Sequence, residues 1–176
     1  MVGHKDTLQE IYSLMGQGWR FEQTTQFIEE RDYHRRKTEK ARQKGNQSEV
    51  TIGNHLHLIP WVNSITINPH NGPEDKLYRD LTVTINRRIF DLSLREPLVI
   101  PGYKVYIQAK SSIQGVIGFE CRVAYQHNLN GKDRIEDFLK ERQLVVLRAD
   151  LEQREVLIQF LRAVLAMNIF WGRKQS

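Results

Sequence analysis

The sequence predicts an α+β fold, with an N-terminal helical hairpin and basic extension followed by a mostly antiparallel sheet of about six strands packed against a long C-terminal helix. Three observations carry this. Apolar and polar residues alternate in runs from about residue 55 to 126, the period of a half-buried strand. Residues 33–48 hold almost no apolar side chain but many good helix formers. Residues 156–171 are apolar around most of a helical circumference, so that helix must be covered on several sides. The organisation expected is a helical segment with its basic extension over 1–48 and the sheet with C-terminal helices over 49–176. A chain of 176 residues, 40% hydrophobic and 27% charged, is long enough to build one real core.

The first helix is announced by Thr7-Leu8-Gln9-Glu10, a capping box. Leu8, Ile11, Tyr12, Leu14 and Met15 form its stripe, and Gly16 with Gly18 ends it. A second helix is expected from near Arg20, with Trp19 before it and Phe27 and Ile28 as anchors. This arrangement resembles helix-turn-helix DNA-binding modules over residues 8–28. Glu22, Glu29 and Glu30 depart from that pattern, being acidic where phosphate would lie, and a plain helical hairpin satisfies the same spacing.

The basic extension holds Arg31, Arg35, Arg36, Lys37, Lys40, Arg42 and Lys44 against Asp32 and Glu39. This one segment therefore accounts for the whole formal net charge of +5. Such concentration implies an acidic partner. A nucleic-acid backbone fits, with Tyr33 and His34 available to stack, and an acidic protein surface is the alternative. Gly45-Asn46 is expected to close the segment.

Strands are expected at Leu56 and Leu58, at Ile65 and Ile67, at Leu81, Val83 and Ile85, and at Phe90, Leu92 and Leu94. Asn71-Gly72-Pro73 marks a loop, and Pro97 with Pro101-Gly102 brackets the way into a hairpin over 103–126. Its inner face would be Tyr103, Val105, Ile107 and Ala109, then Ile117, Phe119, Cys121, Val123 and Tyr125. At about 2 kcal/mol for each large apolar side chain buried, that hairpin would dominate the core. Connections this short favour antiparallel pairing. After Asn130-Gly131 a helix should follow, signalled by Asp133 and Glu136 and burying Ile135, Phe138 and Leu139. Residues 144–147 form an edge strand, Asp150 with Gln153 caps the last helix, and Gly172 ends it.

The single cysteine, Cys121, has no disulfide partner within the chain and would serve as a small inward hydrophobe in a reducing compartment. The opening residues are polar, without the pattern of a secretory leader. Residues 156–171 are interrupted by Gln159, Arg162 and Asn168, so no membrane span is expected and the expected location is cytoplasmic. Ile169, Phe170 and Trp171 either close the core or form a self-association surface.

Two constellations could carry chemistry. Gln108-Ala109-Lys110 lies on the polar face of a strand, and Asp91 lies on the polar face of the strand before it. This resembles the metal site of restriction-endonuclease-like nucleases, in which an acid followed by Glu or Gln, any residue and Lys puts a Mg²⁺ ligand and an ammonium on one face. The resemblance implies Asp91, Gln108 and Lys110 as catalytic residues. The chain departs from it in lacking a preceding Pro-Asp and in reading as a returning strand after Lys110, where the family has a helix. His55 and His57, alternate on a strand, could aim at one metal with His70 as a third ligand. This is similar to the His-x-His of β-barrel cupins, without their downstream glutamate and glycine spacing; solvent-facing histidines are the simpler account. His127 beside Asn128 reads as a turn residue.

A phosphate-binding glycine loop and a Gly-x-Ser-x-Gly elbow are absent, and no cofactor is expected. The function these readings favour is a non-enzymatic binding protein whose segment 31–44 contacts a polyanion, nucleic acid foremost. An assembly factor docking on an acidic protein comes second, and a metal-dependent nuclease third.

Overall fold

A 36-residue helix, α1 (Phe21–Leu56), opens the computed structural model, which describes residues 21–175. The capping box at Thr7, the Gly16–Gly18 turn, Trp19 and the side chains of Phe27, Ile28 and Arg35 lie outside what is described, and the helix-turn-helix resemblance lies there with them. Two compact units are distinguishable, Met1–Gln43 and Lys44–Ser176. In the first, the basic stretch is helical and its Tyr33, His34, Lys37, Lys40 and Arg42 are exposed. Glu39 accepts hydrogen bonds from Arg42 at 3.0 and 3.2 Å and from Gln43 at 3.2 Å, the neighbours one helical turn away.

The second unit begins inside α1. Gly45-Asn46 does not end the helix as expected. Ile52 and Leu56 beyond it are fully buried, and that packing outweighs the roughly 1 kcal/mol a glycine costs in a helix interior.

The sheet has four strands, β1 (Val62–Ile67), β2 (Leu81–Ile85), β3 (Lys104–Lys110) and β4 (Leu144–Arg148), in the order β1-β2-β3-β4. The first three run antiparallel, and β4 is parallel to β3. The fold is thus α+β with a mixed sheet, corrected from six antiparallel strands. A parallel neighbour needs a crossover, supplied by α3 (Ile113–Gln126) and α4 (Lys132–Glu141); between β2 and β3 lies the short α2 (Arg87–Leu94). The hairpin expected over 103–126 is therefore β3 followed by a helix, started by Ser112, whose hydroxyl accepts the Gly115 N–H at 3.3 Å. The strand expected at Phe90 to Leu94 is α2, with Asn86 as its cap. Leu56 closes α1, and no strand forms there. Cys121 is exposed on α3.

The sheet separates two apolar clusters. One face gathers Leu81, Val83, Val105 and Ile107 with Ile52 and Leu56 of α1, Phe90 of α2, and Val156, Phe160, Val164 and Met167 of α5 (Gln153–Gln175). On the other side are Phe119 and Val123 of α3, Phe138 of α4 and Leu144, joined by Tyr78 and Tyr106. Alternation along β3 thus sends Val105, Ile107 and Ala109 one way and Tyr106, Gln108 and Lys110 the other.

By length and composition alone α5 is long and apolar enough to cross a bilayer, contrary to the expectation from the sequence, while Val156, Phe160, Val164 and Met167 on it pack into the core. It continues past Gly172, where Lys174 pairs with Glu141 at 2.6 Å. Asp150, expected to cap it, instead pairs with Arg148 at 2.9 Å. Trp171 donates to the Lys140 carbonyl at 3.2 Å, while Ile169 stays 52% exposed.

Candidate functional site

The end of β3 and the approach to β2 converge on one cleft. Asp80 precedes β2 and extends its ladder, its N–H donating to the Ile107 carbonyl at 2.8 Å. This places its side chain beside the next residues of β3, where one carboxylate oxygen accepts the Ala109 N–H at 2.7 Å and the Gln108 amide. Burial pushes the Asp80 carboxyl above its ordinary range, opposed by the Ala109 N–H and the charge of Lys110.

Glu49 arrives from α1. With Ile52, Gly53 and Leu56 it shares the i, i+3, i+4, i+7 face that packs on the sheet, so the helix carries a carboxyl into a position only 4% exposed. Burial, with the charge of Asp80 second, raises it to about 7. His70 Nε2 lies 3.5 Å from the Glu49 carboxylate and 2.6 Å from Asn46 Oδ1.

Lys110 ends β3, its stem beside Gly115 in the first turn of α3. Desolvation lowers its ammonium below the usual range; Asp80 opposes this and Arg122 adds to it. Glu49, Asp80, Gln108 and Lys110 line a cavity of about 560 Å³, with His70 and Arg122 on the same wall set.

Among the described residues no three His, Cys, Asp or Glu side chains cluster closely enough to hold a metal ion by themselves. The donor set in the cleft is two carboxylates, Glu49 and Asp80, and the amide of Gln108. Mg²⁺ is ordinarily held by one or two carboxylates together with waters and substrate phosphate oxygens. A carboxyl raised by burial and by a neighbouring carboxylate is also one that a divalent cation would relieve. The donor types present are those Mg²⁺ takes, with the remaining positions left to water and substrate oxygens.

Of the sequence-derived candidates, Gln108 and Lys110 are brought together here, and Asp91 is not. Asp91 sits on α2, where it accepts the Leu98 N–H at 2.8 Å and lies 3.7 Å from Arg87; the acid beside Gln108 is Asp80. His55 lies in the last turn of α1 and exposed His57 follows the helix, so the strand alternation that would have paired them is absent, and His70 stands with Glu49 instead. Of the basic residues, Lys44 alone belongs to the unit that holds the cleft. Sequence reasoning missed Glu49 and Asp80. The readable signal for Glu49 was an acid at a core position of a helical stripe; for Asp80 it was an acid at the head of an alternating strand. No protein-family model, curated protein or solved structure matches the chain.

Proposed function

We propose that the protein is a metal-dependent phosphodiesterase acting on nucleic acid, a nuclease of restriction-endonuclease-like type. The observation that carries this reading is the convergence of Glu49, Asp80, Gln108 and Lys110 in one cleft. The helix that this resemblance calls for after the Gln-x-Lys strand is α3. Asp80 and Glu49 would hold Mg²⁺, with the Gln108 amide oxygen as a third donor. A bound Mg²⁺ supplies water activation and polarises the phosphoryl oxygen. Asp80 is oriented before any ligand binds, because its carboxylate rests on the Ala109 N–H. Lys110, partly desolvated, presents an ammonium to the phosphate and steadies the attacking water beside it. Segment 31–44 would add contacts to the backbone that do not read sequence.

The test is incubation of single-stranded DNA, duplex DNA and RNA with the protein in Mg²⁺, in Mn²⁺ and with chelator. Metal-dependent cleavage is expected, falling about a hundredfold or more in Asp80→Asn and Lys110→Ala, with both variants checked for folding by circular dichroism. If every substrate stays intact in both metals, the hydrolytic reading is wrong. The basic segment 31–44, docking on a nucleic acid or an acidic protein, would then be the reading left.

A further inference from the structure

The cleft also holds a cation that the hydrolytic reading leaves unused. Arg122 lies on α3, exposed, and forms no ion pair with a carboxylate among the described residues. Its guanidinium carbon is 5.8 Å from the ring centroids of both Tyr78 and Phe119. The Lys110 ammonium is 5.2 Å from the same Phe119 ring. Two like charges thus share one aromatic ring.

The support beneath Arg122 is held firmly. Tyr78 meets Phe119 edge-on at 5.4 Å, and its hydroxyl donates to Gln126 Oε1 at 2.5 Å. Its backbone is left-handed, at φ 63°, a conformation bulky residues rarely adopt. An anion between the two cations would relieve their repulsion. A guanidinium is the side chain best shaped to grip a phosphate through two parallel N–H bonds. In the hydrolytic reading Lys110 serves the phosphate being cleaved, and Arg122 is left for a different one.

We propose that Arg122, seated on Tyr78 and Phe119, forms a second phosphate subsite that takes the backbone phosphate next to the scissile one. The substrate is then a nucleic-acid strand rather than an isolated phosphodiester. This rests on the hydrolytic reading for the identity of the neighbouring phosphate, while the subsite can be measured without catalysis.

The experiment uses the full chain as wild type, Arg122→Ala and Arg122→Lys. Binding of short labelled DNA and RNA strands is measured by anisotropy in Ca²⁺ across a salt series. Hydrolysis of thymidine 5′-p-nitrophenyl phosphate, which has a single diester, is measured in Mg²⁺. Arg122→Ala should weaken strand binding about ten- to hundredfold and reduce the salt slope by about 0.7. Arg122→Lys should restore the slope, and single-diester hydrolysis should match wild type in both variants. Unchanged strand affinity in Arg122→Ala overturns the subsite. So does an equal fall in single-diester hydrolysis, which would put Arg122 at the scissile phosphate. A wild type that binds strands through Arg122 but hydrolyses nothing overturns the hydrolytic reading and leaves the subsite standing. A wild type that binds no strand overturns both.

Discussion

Glu49 shows how one residue couples folding to the chemistry of the cleft. The helical face that buries Ile52 and Leu56 also buries its carboxyl, so the core is built at the cost of desolvating an acid. Its folded-state value of about 7 lies above the ordinary carboxylate range. Between those two values the folded chain binds more protons than the unfolded one. The contribution to stability is therefore fully present below pH 4.5 and is lost as pH rises through about 7. Glu49→Gln removes this dependence. Urea titrations without divalent cation should find the variant close to wild type at pH 5 and more stable than wild type at pH 8, by up to about 3 kcal/mol. Mg²⁺ should narrow the gap at pH 8 by stabilising wild type, since a cation beside Asp80 and Glu49 replaces the missing proton. A constant difference between the two proteins across this range would show that burial does not tune the group.

At the level of elements, α3 positions the cleft, because Lys110 closes β3 and Ser112 starts the helix two residues later. Ser112→Ala should cost about 1 kcal/mol, a fall in Tm of roughly 2–4 °C, and Ser112→Asp should recover it; an unchanged Tm would mean that the cap bond is idle. The sequence pattern around this turn explains what could be read in advance. Strands β1, β2 and β3 were legible because their alternation is bounded by turn residues, β4 as a short apolar run between two helices, α4 because its stripe is helical, and α5 because it is apolar around most of its circumference. Residues 113–126 were misread because a spacing of four fits both periods. Phe119 and Val123 are four apart and buried, while Ile117, Cys121 and Tyr125 are four apart and exposed. Read two at a time, the interleaved sets look like one strand face. The same happens at Phe90, Leu92 and Leu94, where Leu92 is 72% exposed and Phe90 fully buried. In the cleft, Gln108 and Lys110 were legible because strand parity is local. Asp80 and Glu49 were not, because they reach the site through the pairing of β2 with β3 and through the packing of α1 on the sheet, which are long-range facts.

Across the whole molecule, charge and chemistry occupy different units. The cleft belongs entirely to Lys44–Ser176, while six of the seven basic residues that account for the net charge fall in Met1–Gln43. If the two serve one substrate, they should separate kinetically. Cations that neutralise phosphates act on affinity through counterion release and do so for the cleaved and uncleaved strand alike. Uniform binding of this kind lowers KM without raising kcat. Replacing Arg36, Lys37 and Lys40 with Ala should raise KM for a long strand and reduce the slope of log affinity against log salt by roughly 2–3 on duplex DNA. At saturating substrate, kcat should remain at its wild-type value. These side chains are exposed, so the melting temperature should move little. A fall in kcat with KM unchanged would instead give the basic helix a part in the transition state, and an unchanged salt slope would direct its charge to a partner other than the substrate.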